Sequence, residues 1–101
     1  MEKKTKRVVA PMVDIRHDAK DTGFIILIDL AGATKNSVEL EMGTGGFCVK
    51  GEGKDFRYEN CYMLAHEVQA KQAKAKFESG LLTIHVPFKE KWRGHKVAIK
   101  T

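Results

Sequence analysis

Apolar and polar positions alternate every second residue along most of this chain, the period of a β-strand with one wet face. Met12 to Arg16 sets Val13 and Ile15 against Asp14 and Arg16, a short strand. Phe24 to Leu30 is unbroken in hydrophobicity until Asp29 and rich in β-branched residues, which predicts a strand buried on both faces. Val38-Glu39-Leu40-Glu41-Met42 alternates cleanly. Gly43-Thr44-Gly45-Gly46 then turns the chain into Phe47 to Lys50, the return strand of a hairpin. Phe56, Tyr58, Tyr62 and Leu64 repeat the two-residue period, with Asn60 interrupting the stripe.

Ala65 to Lys76 has the composition of a helix. Ala73, Ala75 and Phe77 nevertheless alternate with Lys74 and Lys76, so the expectation is a turn followed by a strand. Ser79-Gly80 turns the chain again, and Leu82, Ile84 and Val86 alternate with Leu81, Thr83 and His85 up to Pro87. Seven short strands separated by turns, with no long helix, predict an all-β fold, an antiparallel β-sandwich of immunoglobulin-like type. The 101 residues make one domain of this kind. The expected organisation is a flexible basic arm at 1–10, a sandwich at 11–87 and an extended basic tail at 88–101.

Charge changes the picture little. The net charge is +5, but residues 1–10 carry +3 and residues 88–101 carry +4, leaving −2 on the body. A nucleic-acid-binding face would charge the body and interleave aromatics with the basic residues, so nucleic acid is a weak third reading behind solvated ends. The longest apolar run, Phe24 to Ile28, is five residues against about 20 for a membrane span. No membrane partner is expected, and no apolar segment of secretory type follows the charged start. Cys48 and Cys61 match no metal-binding spacing, and reduced thiols in a cytoplasmic setting are the expectation. Each is read as a small core residue on a strand.

Catalytic signatures are lacking. No phosphate loop or dinucleotide fingerprint is present, and the glycines from Gly43 to Gly53 lie between strands with no helix to follow. His17, His66, His85 and His95 are scattered without zinc-site spacing. No enzyme activity, cofactor or metal is expected.

One constellation carries function. Ala75 to Pro87, reading AKFESGLLTIHVP, resembles the A-x-x-x-n-G-v-L-x-[IV]-x-[IV]-P signature of the α-crystallin domain, which defines the small heat-shock proteins. Pro11 to Ile15 is similar to the P-x-V-D-I opening strand of that family, and Asp29 to Ala33 to its D-L-P-G-V. Tyr58, Tyr62, Leu64 and Val68 resemble its F-x-R-x-F-x-L-P-x-x-V. Ala31 and Ala65 stand where the family has prolines, and Asn60 where it often has arginine. Within the signature, Gly80 sits where a residue of positive φ is needed, a structural turn.

The resemblance implies an ATP-independent holdase that binds partly unfolded client proteins. It also implies a C-terminal docking element, Val97 and Ile99, ten and twelve residues past Pro87. Side chains two apart on an extended strand share a face, which suits insertion into a groove. In the family that groove lies between the strands matching Val38–Met42 and Ala73–Phe77, so Val38, Leu40, Ala73, Ala75 and Phe77 are the implied tail and client groove. The connection from Gly51 to Phe56 is too short to carry the extra strand that many relatives exchange between subunits. Self-association is expected instead through the edge of the Phe56–Leu64 strand or through tail docking. The alternative reading is a co-chaperone-like interaction module with the same sandwich.

Overall fold

The structure is a computed structural model that describes residues 6–91 and 93–101. Among these residues eight strands form two four-stranded sheets: β1 (Arg7–Val9), β2 (Met12–His17), β3 (Gly23–Asp29), β4 (Glu39–Met42), β5 (Gly46–Glu52), β6 (Phe56–Met63), β7 (Lys74–Glu78) and β8 (Leu81–Pro87). One sheet has the order β1-β6-β5-β4 and the other β2-β3-β8-β7. All pairings are antiparallel except the one between β1 and β6.

The core is made by the rows that the alternation places inward. Phe24, Ile26 and Ile28 of β3 and Leu82, Ile84 and Val86 of β8 meet Phe47 and Val49 of β5. The pairings Phe24↔Val86, Ile26↔Ile84 and Ile28↔Leu82 stack these side chains across one sheet as a continuous apolar layer. Gly80 closes the β7–β8 hairpin. Ser79 and Gly80 have φ of 49° and 81°, the pair of left-handed conformations of a two-residue type I′ turn. A Cβ on Gly80 would lie 3.2 Å from Ala31 Cα, because its carbonyl accepts the Leu30 N–H at 2.8 Å and draws the two loops together.

Five expectations need correction. Residues 7–9 of the expected flexible arm form β1, because Val8 and Val9 can extend the otherwise unpaired start of β6 (Met1 to Thr5 and Trp92 lie outside the described residues). Lys6 fixes this segment, its Nζ lying 3.1 Å from Gly53 O and 3.5 Å from Glu52 Oε2. β3 is packed on one face only. Ile25 and Leu27 point to the other side of the sheet and are half-buried, since among the described residues no third layer covers it.

Cys48 and Cys61 are not reduced thiols but a disulfide. The register sets them directly opposite each other on β5 and β6, and they lie on the outer face rather than in the core. The sandwich also does not stop at Pro87. Phe88, assigned to the tail, bridges to Val68 and is 5% exposed, so the last core side chain lies one residue beyond the expected boundary.

Candidate functional site

The candidate site is the margin where both sheets end. Tyr58 and Tyr62 point inward from β6 and donate hydrogen bonds to Ala31 O (2.8 Å) and Pro11 O (3.2 Å). These bonds place β6 over the β2–β3 side of the sandwich. By strand order, β4 and β7 then lie at the opposite margin, each the last strand of its sheet. Among the described residues neither has a strand partner on its outer edge, so each leaves a row of backbone N–H and C=O groups free to pair.

Apolar side chains line that margin. Val38, Leu40 and Met42 from the β4 side and Ala73 and Phe77 from the β7 side are half-buried against the core. Ala75 faces inward with Ile84, its register partner, yet is exposed, because a methyl group at a sheet edge is too short to reach cover. Four of the five residues implied for the groove thus contribute half-buried apolar surface, and the fifth, Ala75, is exposed. Met42 belongs with them, and the alternation through Leu40 was the signal that could have placed it. Ser37 fixes the entry to β4: its Oγ accepts the Glu52 N–H at 2.8 Å and donates to Thr34 O at 2.7 Å.

Outward-facing charge differs on the two sides. Glu39 and Glu41 stand exposed on β4, whereas Lys74 and Lys76 stand exposed on β7. Lys76 is paired with Glu78 at 3.1 Å. Among the described residues Glu39 and Glu41 have no ion-pair partner; Lys50, opposite Glu39, is directed instead to Glu59 at 3.5 Å.

The tail is not seated on its own sandwich. Val97 is 79% exposed and Ile99 86% exposed, and the described residues beyond Lys89 have no regular structure apart from a bend at Glu90. The candidate ligand and the candidate groove are therefore both uncovered in the single chain. The β6 edge, the other expected route to self-association, is partly occupied: β1 pairs with Phe56 to Tyr58, and among the described residues no strand pairs with Glu59 to Met63 on that side.

A second cluster was missed by reading the histidines as scattered. His17 and His66 come together with Phe24 and Phe88 at the end of the sandwich, with centroids 5.2 Å apart between the two imidazoles and 4.9 Å between the two phenyl rings. His17 Nδ1 also lies 3.3 Å from Asp21 Oδ1. The four rings fasten the β6–β7 crossover to the sandwich, where Val68 N–H donates to Thr44 O at 2.9 Å. Only the fold brings together residues this far apart in sequence.

No protein-family model matches the chain, and no curated protein matches it. Solved structures do. Heat shock protein 16.0 from Schizosaccharomyces pombe superposes with a TM-score of 0.70 at 21% identity, over 91% of this chain and 99% of that one. A small heat-shock protein from Xylella fastidiosa gives 0.67 at 19% identity, over 92% and 98%. HSP18.5 from E. histolytica gives 0.71 at 15% identity, over 90% and 99%. The fold is the β-sandwich of the small heat-shock proteins, the α-crystallin domain.

Proposed function

We propose that this chain is an ATP-independent chaperone of the small heat-shock type, which holds partly unfolded proteins and limits their aggregation. One observation carries the reading. Val97 and Ile99, spaced to share a face, are exposed on a free tail, while the β4–β7 margin offers a half-buried apolar strip of the same two-residue period. A tail from another copy and an extended segment of an unfolding client are the same kind of ligand to such a margin, since both supply backbone pairing groups and alternate apolar side chains. The fold likeness to small heat-shock proteins supports this reading independently of the tail. The test is heat-induced turbidity of a model client without nucleotide. Suppression at equimolar to several-fold excess is expected; full turbidity at several-fold excess would overturn the proposal.

A co-chaperone-like interaction module is the second reading, and the short β5–β6 connection favours it. Only residues 53–55 separate these strands, and β1 covers part of β6. Capture of one defined folded partner, with no effect on turbidity, would establish it.

A further inference from the structure

We propose that the Cys48–Cys61 pair is a reversible thiol-exchange site, at which a small thiol of the glutathione class adds to Cys61 while Cys48 leaves and later resolves the adduct. The site is independent of the tail and of the β4–β7 margin. Its two sulfurs are joined on the outer face of the β1-β6-β5-β4 sheet, and neither residue belongs to the core. The backbone explains why two cysteines meet there. Leu64 N–H donates to Gly45 O and Gly53 N–H donates to Phe56 O, which marks Gly45↔Leu64 and Gly53↔Phe56 as hydrogen-bonded pairs in the register of β5 and β6. Such pairs alternate with non-bonded ones along an antiparallel ladder. Cys48↔Cys61 therefore falls on a non-hydrogen-bonded pair, where facing side chains stand closest.

The two sulfurs are not equally open. Exchange proceeds by attack of a thiolate on one sulfur, in line with the bond that breaks, and access helps decide which sulfur is taken. The path to Cys61 starts on the side away from Cys48. That side is the outer edge of β6, where among the described residues no strand pairs with Glu59 to Met63, and both Cys61 and Met63 are exposed. Glu59, the carboxylate beside Cys61 on that face, is compensated by Lys50 and Arg57, each at 3.5 Å. The path to Cys48 comes over β4 instead. Cys48 is half-buried, Glu41 stands opposite it, and Glu39, Glu41 and Lys50 line the same depression. Two carboxylates against one lysine, itself turned to Glu59, repel an anionic nucleophile arriving from that side. Attack therefore falls on Cys61. The new S–S bond forms there as the old one breaks, and the electron pair goes to Cys48, which takes up a proton. Loss of that proton and attack of Cys48 on the Cys61 sulfur expel the small thiol and restore the disulfide, with no outside oxidant. Phe47 and Val49 face the core from the same strand, so the exchange alters the outer face alone.

The experiment uses the full oxidised chain with reduced glutathione as the probe. Brief exposure under native conditions, acid quenching, alkylation and peptide mass mapping should find the adduct on Cys61 and an alkylated thiol at Cys48. Single variants cannot pass the adduct between sulfurs. With oxidised glutathione, Cys61 of the Cys48→Ser chain should be modified about tenfold faster than Cys48 of the Cys61→Ser chain, as access and local charge dictate. An adduct found mainly on Cys48, or equal rates in the two variants, would overturn the assignment of the attacked sulfur. A bond that glutathione opens only in denaturant would overturn the site itself and leave a closed structural link. Two free thiols that persist after treatment with oxidised glutathione would do the same. Mapping on the unaltered chain decides the matter even if a single variant folds poorly.

Discussion

Cys48 and Cys61 stand directly opposite each other on β5 and β6 and are joined as a disulfide across the outer face of their sheet. Neighbouring positions on these strands, Phe47 and Val49 facing Tyr62 and Asn60, point the other way. The crosslink therefore braces the hairpin without belonging to the core.

Reduction should leave the fold intact and lower its stability. Closing a loop of about 15 residues restricts the unfolded chain by about 3 kcal/mol in the entropic account. The expected loss on reduction, or in the Cys48→Ser, Cys61→Ser double variant, is accordingly about 1–3 kcal/mol, with unchanged far-ultraviolet circular dichroism. Thermal unfolding with and without a dithiol reductant measures it. Identical midpoints would mean that the brace contributes nothing, and loss of the β-spectrum would mean that the core does not suffice alone.

Adjacent leucines on β8 offer a sharper test of register. Leu82 is 3% exposed and pairs with Ile28, whereas Leu81 is 42% exposed and pairs with Asp29. Leu82→Ala should cost about 2–5 kcal/mol, the usual range for a buried leucine replaced by alanine. Leu81→Ala should cost less than about 1 kcal/mol. Since a one-residue slip exchanges the two faces, a reversed order would refute the strand register. Parallel denaturant titrations of the two variants decide between them.

How far the sequence reaches follows from the physics of each element. The rows Leu82, Ile84, Val86 and Phe47, Val49 were readable because the sandwich packs one face of each strand, and a two-residue period records that. β3 misled for the same reason in reverse: Ile25 and Leu27 are apolar but lie on a face that no third layer of the described residues covers. β1 escaped because three residues carry no period, and its pairing depends on an edge of β6 that exists only in the fold. The Cys48–Cys61 bond escaped because the strands were foreseen but not the register between β5 and β6. At the candidate site, Val38, Leu40, Ala73 and Phe77 were placed through a family resemblance and lie at one margin. The charges that distinguish its two sides, Glu39 and Glu41 against Lys74 and Lys76, are visible in sequence only as ordinary solvent-facing positions.

The turn before β3 makes a final prediction, about pH. Asp18 accepts the Thr22 N–H at 2.9 Å, the Thr22 hydroxyl at 2.8 Å and the Lys20 N–H at 3.1 Å. The Thr22 amide first, then its hydroxyl, hold the Asp18 carboxyl below the ordinary aspartate range. These bonds shape the β2–β3 hairpin, in which Asp21 adopts a φ of 53°. A carboxyl whose folded pKa is depressed contributes stability that is fully present above the unfolded value, about 3.9. That contribution is lost as pH falls through the folded pKa. Asp18→Ala should thus unfold at a lower temperature than the parent at neutral pH, and the gap should close in strong acid, where the parent's Asp18 is also protonated. Titration of the Asp18 carboxyl by NMR should give a midpoint below that of a free aspartate. A gap that persists unchanged into acid would mean that Asp18 acts through its shape and not through its charge.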